Sequence, residues 1–112
     1  MPPSRGEIWH VDLDPTRGHE QAGQRPALVV SVDLLNSGPA GLVIVVPLTT
    51  TFKAIPLHVE LEPPEAGLRH RSWVKPEDVR SISIERLSRR LGAVSARTLE
   101  LVDDRLRVVL GL

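Results

Sequence analysis

Between Asp14 and Val30 the chain reads DPTRGHEQAGQRPALVV, and there the side chains able to do chemistry crowd together. The stretch holds an imidazole (His19), a carboxylate (Glu20), an amide (Gln21) and two guanidinium groups, Arg17 and Arg25. Asp14-Pro15 opens a turn, while Gly18 and Gly23 lend backbone freedom on either side of His19, Glu20 and Gln21. Arg25-Pro26 then feeds an apolar run. Loops on rigid scaffolds carry function disproportionately, which makes this one the first candidate site. Its plainer reading is a polar connection and nothing more.

Strands must hold the ends of that loop. Glu7–Leu13 alternates apolar and polar residues, the pattern of a half-buried strand. Ala27–Val32 is continuously apolar and suits a strand buried on both faces, as does Leu42–Leu48, which ends at Thr49-Thr50-Thr51. Asn36-Ser37-Gly38-Pro39 reads as a loop. Leu57–Leu61 alternates again, Ser72–Lys75 and Val79–Ile84 are short strand candidates, and Leu91–Val94 is one more. After Ser95, an N-cap type, Leu99, Val102, Leu106, Val109 and Leu110 recur at helical spacing until Gly111 stops the pattern. The fold class that follows is α+β: a compact, strongly curved antiparallel β-barrel with one C-terminal α-helix.

Composition narrows the function classes. At 112 residues the chain is one domain, residues 1–112, with a single core. Cysteine is absent, which removes disulfides and thiolate metal sites. The four histidines are scattered without metal-ligand spacing, so neither a metal nor a cofactor is expected. No apolar run approaches the roughly 20 residues of a membrane span, and Met-Pro-Pro-Ser-Arg is no signal peptide. A soluble cytoplasmic protein is the expectation.

Charge balances at 14 basic against 14 acidic residues, which argues against coating duplex nucleic acid by charge alone. The distribution is uneven, with seven basic and three acidic residues between Arg69 and Arg90. Arg86, Arg89 and Arg90 in that zone read equally as solvated or as steering phosphates. The aromatics Trp9, Phe52 and Trp73 offer no adjacent spacing for a stacking platform, and both tryptophans read as core or dimer contacts.

RGEIWHVDLDPTRGHEQAGQRPALVV, followed by VVPLTT, PLHVEL and VRSI, resembles the MazF/PemK/Kid family of toxin endoribonucleases from about Arg5 to Gly111. The first block carries the specificity. The resemblance implies a small SH3-like barrel that dimerises and cuts single-stranded RNA without a metal until a cognate MazE-like antitoxin silences it. On the same ground Arg25 matches the family's catalytic arginine and Thr49 its catalytic threonine. Such chemistry uses the ribose 2′-OH as nucleophile, so the protein supplies positioning, phosphorane stabilisation and proton transfer. Arginine keeps its proton, which casts Arg25 as stabiliser and leaves Glu20, His19 or Glu77 as the base.

The Kid-like arrangement would place His19, Lys75 and Glu77 together if Val74–Asp78 aligns without a gap. Lysine there lacks the planar fork of arginine, and Asp78 stands where many members carry glutamine. Gln21, Gln24, Asn36, Lys75, Glu77 and Asp78 are the candidate RNA-binding residues. The resulting expectation is cleavage to a 2′,3′-cyclic phosphate and a 5′-hydroxyl. Two competitors stand beside it: a non-enzymatic gyrase-binding toxin of the CcdB type, and an inactive or antitoxin-type scaffold dimer. The antitoxin is expected to bring an acidic disordered segment along the basic zone and the loop.

Overall fold

The computed structural model describes residues 2–15, 17–20 and 23–112. Seven strands run β1 (Glu7–Asp12), β2 (Gln24–Val29), β3 (Leu42–Thr49), β4 (Val59–Leu61), β5 (Ser72–Val74), β6 (Arg80–Ser83) and β7 (Leu87–Ala93). A one-turn helix α1 (Asp33–Asn36) follows β2, and α2 (Ala96–Leu110) ends the chain. All pairings are antiparallel, in the order β4-β5-β3-β2-β1-β7 with β6 added to β3. The product is a curled, half-closed barrel with a helix on it, of the expected α+β class.

Strand β3 is the axis of the sheet. One edge pairs with β2, while the other serves β6 over Leu42–Val45 and β5 over Leu48–Thr49. Pro47 stands between those segments and has no N–H to give to a ladder; its carbonyl accepts the Lys75 N–H at 3.0 Å. Alternate residues of β2 and β3 enter two different cores. Leu28, Val46 and Leu48 pack with Ile8, Val59, Leu61, Val74 and Val102 of α2. Ala27, Val29, Val43 and Val45 pack with Val11, Leu13 and Ile82. Burial on both faces is why these two strands read as unbroken apolar runs.

Strand β2 ends at Val29 rather than Val32, whose side chain is exposed. The strand expected at Leu91–Val94 is the end of the longer β7. Register shifts against β7 fall between Ile8 and Trp9 and between His10 and Val11. Three residues apart on an alternating strand, Ile8 and Val11 face opposite sides and enter different cores. The expected loop at Asn36–Pro39 begins instead inside α1.

Helix α2 has the caps its sequence announces. Ser95 accepts the Thr98 N–H, and Gly111 adopts the left-handed conformation at φ 71°. Val102 is fully buried, and Leu101 and Leu106 pack against it; Leu110, expected on this face, is exposed because the last turn extends past the core. Thr98 also donates to Glu65 at 2.7 Å, tying α2 to the 3-10 turn Glu65–Gly67. That turn presses on β7 so closely that a Cβ on Gly92 would lie 2.5 Å from the Ala66 carbonyl carbon. Arg5 fixes the N-terminal segment to the helix through Asp103 and the Val30 carbonyl.

Candidate active site

The loop between β1 and β2 is held at its neck. Leu13 N–H donates to the Gly23 carbonyl at 3.0 Å, and Gly23 N–H donates to the Asp14 carboxylate at 3.0 Å. From below, Arg80 donates to the Leu13 carbonyl at 3.1 Å and Arg86 to the Asp12 carbonyl at 3.2 Å and to the Asp14 carbonyl. Arg86 therefore anchors the loop stem. Beyond the neck, the Glu20 carboxylate accepts the Arg17 N–H at 2.6 Å and folds the tip into a turn. Gln21 lies outside the described residues.

Arg25 and Thr49 share one face of the sheet. The β2–β3 register pairs Ala27 with Pro47; Arg25 lies two residues before Ala27 in β2 and Thr49 two residues after Pro47 in β3, at the same end of the two strands. Arg25 is half-buried; Thr49 is 4% exposed at the end of β3. The Thr49 hydroxyl accepts the Thr51 N–H at 3.1 Å. A hydroxyl has one proton and two lone pairs, so that bond leaves its proton for another acceptor.

An open groove of about 530 Å³ is lined by His19, Glu20, Lys53, Ile55, Lys75, Glu77 and Asp78; Arg25 and Thr49 do not line it. Five of the residues singled out from sequence thus meet in one place. Lys75 follows β5 and continues its register opposite Pro47, next to Thr49 on the same face. It is 4% exposed, with its ammonium 3.7 Å from Asp78. Glu77 reaches down to His58 Nε2 at 2.6 Å, while His58 Nδ1 is buried without a partner among the described residues. The 3-10 turn Pro76–Asp78 that presents both acids rests on α2.

Other sequence candidates fall elsewhere. Gln24 is exposed in a separate hollow with Asp12, Asp14, Glu85 and Arg86. Asn36, expected to read RNA, is 2% exposed and turned inward: its amide donates to the Ser31 carbonyl at 3.0 Å, and its oxygen accepts the Ser31 hydroxyl. An amide so occupied and buried offers no edge to a base. Arg90 pairs with Glu7 at 2.7 Å. Burial alone would raise the Glu7 carboxyl, but the Ser4 N–H, Arg90 and the Trp9 indole hold it below its ordinary value. Arg89 has no protein partner among the described residues and joins His10, Arg69 and His70 around a second cavity of about 450 Å³.

Sequence reasoning missed two contacts. His58 and Glu77 lie far apart in the chain, and only the seating of the Pro76–Asp78 turn brings them together. Phe52 and Trp73 meet with ring centroids 5.5 Å apart, and the Arg71 guanidinium sits 5.6 Å from the Trp73 ring centre. The Glu60 hydrogen bond and charge raise Arg71 above its already high ordinary value. Among the described residues no three His, Asp or Glu side chains form a metal-binding cluster.

A curled sheet that carries a guanidinium and a hydroxyl at one end of its central strands, with an imidazole, ammonium groups and carboxylates lining an open groove, holds the kinds of group that suit phosphate chemistry. The chain belongs to the PemK-like, MazF-like toxins of type II toxin-antitoxin systems, whose family model matches residues 4–110. It is 44% identical over 113 residues to endoribonuclease MazF9 of Mycobacterium tuberculosis, covering 96% of each protein. The crystal structure of MazF from Deinococcus radiodurans superposes with a TM-score of 0.89 at 32% identity, covering 100% of this chain and 99% of that one. A mycobacterial endoribonuclease in complex with its cognate antitoxin matches with a TM-score of 0.81 at 29% identity, covering 98% and 96%. No helix among the described residues is long and apolar enough to cross a membrane.

Proposed function

We propose that this chain cuts single-stranded RNA by turning the ribose 2′-OH on its own phosphate, with Arg25 and Thr49 stabilising the phosphorane. Its standing as an endoribonuclease toxin of a toxin–antitoxin system follows from its family and its relatives. The observation that supports the finer mechanism is that Arg25 and Thr49 lie at the same end of the paired strands β2 and β3, two residues beyond the Ala27–Pro47 pair, while Lys75, which bonds the Pro47 carbonyl, also lines the His19 groove.

The base takes the 2′ proton as the 2′ oxygen attacks phosphorus. We assign that role to His19, since Glu20 already accepts from the Arg17 amide and Glu77 from His58. Arg25 presents its fork to the non-bridging oxygens, and the Thr49 hydroxyl donates to one of them. The P–O5′ bond breaks, the leaving oxygen gains a proton, and the products are a 2′,3′-cyclic phosphate and a 5′-hydroxyl. Lys75, Glu77 and Asp78 then border the path of the substrate. No metal takes part in this scheme.

The chain acts as a homodimer in the cytoplasm, and an antitoxin with an acidic segment closes the groove; complexes of relatives with antitoxin support that partner. The gyrase-binding alternative is not favoured, because the matched relatives are endoribonucleases and the loop is present. Incubating a long single-stranded RNA with the protein in EDTA tests the reading. Wild type should cut and Arg25→Ala should not. Silence from wild type on several unrelated RNAs would refute it, and loss of cutting on adding EDTA would refute the metal-free route.

A further inference from the structure

Strand registers place a row of side chains across the sheet at the level of the cut. Trp73 is opposite Thr49 on one side and opposite Glu60 on the other. Thr49, Trp73 and Glu60 therefore follow one another on three neighbouring strands, on one face, and β2, which carries Arg25, is the next strand beyond Thr49. Adjacent strands lie about 4.8 Å apart, so the indole stands one step beyond the hydroxyl and about 10 Å from the Arg25 backbone.

The indole is only half-buried, and the ring against it is not tucked away at all. Phe52 is 67% exposed although it lies only three residues beyond Thr49, the end of β3. With Arg71 and Glu60 the two rings line an open cleft of about 320 Å³. The Arg71 side chain is fixed there by Glu60, which accepts from its Nε at 2.8 Å. Two aromatic rings, with a guanidinium lying over the indole and a carboxylate beside it, are the chemistry that recognises an unstacked nucleobase: rings and guanidinium plane stack on the base, and the polar groups meet its edge.

We infer that Phe52 and Trp73, with the Arg71 guanidinium over the indole and Glu60 holding it there, form a stacking subsite for the base of the nucleotide adjoining the scissile phosphate. The inference rests on the endoribonuclease reading. It makes the aromatic pair a positioning element: the base held on the indole fixes the ribose and phosphate between Arg25 and Thr49.

The test uses a fluorescein-labelled, random-sequence single-stranded RNA of twenty or so nucleotides, a length several times the site of one small binding fold. Arg25→Ala serves as the background, so that the probe survives. Trp73→Ala should weaken binding by about tenfold, within the range for losing one stacked base, and Phe52→Ala by somewhat less. Trp73→Phe should recover most of the loss. In a Trp9→Phe protein, the remaining Trp73 emission should be quenched as RNA binds. With Arg25 restored, Trp73→Ala should raise KM for cleavage and shift the distribution of cut sequences.

Unchanged affinity in both alanine variants, or an indole whose emission ignores RNA, would overturn the subsite. Phe52→Ala removes an exposed ring and keeps the question answerable should Trp73→Ala fail to fold. If either variant turns dimer into monomer in sedimentation, the rings belong to a subunit contact and the inference falls. Failure of wild type to bind or cut any RNA would instead defeat the nuclease reading itself.

Discussion

Replacing Thr49 with valine removes one hydroxyl and keeps the branched shape, which separates stability from chemistry. In the folded protein the hydroxyl accepts the Thr51 N–H at 3.1 Å, and the side chain is 4% exposed. Thr51 itself is exposed, so water can take over its N–H. The folding cost is then about 1 kcal/mol, the net worth of one hydrogen bond, or a fall in Tm of about 4–8 °C. Against a total stability of about 5–15 kcal/mol the variant stays almost entirely folded. The lost donor to the phosphorane, by contrast, should lower kcat by about 10²–10³, or about 2.7–4 kcal/mol of transition-state stabilisation. Thermal melts and initial rates on one RNA measure the two effects side by side, with Thr49→Ser as the variant that restores the hydroxyl. A valine variant cutting within threefold of wild type, or a serine variant as dead as valine, would refute the role given to this hydroxyl.

Arg25→Lys keeps the charge and loses the planar fork, so cleavage should fall by about 10²-fold with RNA affinity changed far less; equal rates would reduce Arg25 to a point charge. Glu77→Ala strips the buried His58 of its recorded partner, and a double-mutant cycle with His58→Ala in urea should return a coupling of about 1 kcal/mol or more; zero coupling would mean the contact does not form in solution. Glu7 is held below its ordinary 4.5, so its pairing with Arg90 and the Ser4 N–H stabilises the fold above that pH and is lost as acid protonates it. The stability gap between wild type and Glu7→Gln should thus be widest near neutrality and close in acid; melts from pH 7 down to about 3 check the sign. Gly92→Ala drives a Cβ to 2.5 Å from the Ala66 carbonyl carbon, and since the obstacle is backbone it should cost about 1–3 kcal/mol in a urea titration.

What the sequence disclosed was what repeats locally. Helix α2 showed itself through Ser95, Gly111 and the spacing of Leu99, Val102 and Leu106; β2 and β3 showed themselves as apolar runs because both their faces are covered. Leu110 misled because helical spacing says which face a residue takes, not how far the core extends beneath it. Asn36 misled for a related reason: a polar residue near a turn looks available until α1 turns its amide onto Ser31. At the site, the loop residues and Arg25 were visible as a cluster, and Thr49 through the resemblance. Contacts made across the sheet were not visible, since nothing near His58 announces Glu77, and nothing near Phe52 announces Trp73.

The arginine-rich zone has a consequence for how the protein meets RNA. Of its seven cations, Arg71, Lys75, Arg80, Arg86 and Arg90 are committed to carboxylates or carbonyls of their own chain, which among the described residues leaves Arg69 and Arg89. With few ions of its own to displace from a nucleic acid, this zone should add less than about two powers of the salt concentration to the salt dependence of binding. Such a surface barely grips a passing transcript and lets it go quickly. Time on the RNA is then decided by whether a base finds its seat, so selectivity begins at the moment of capture.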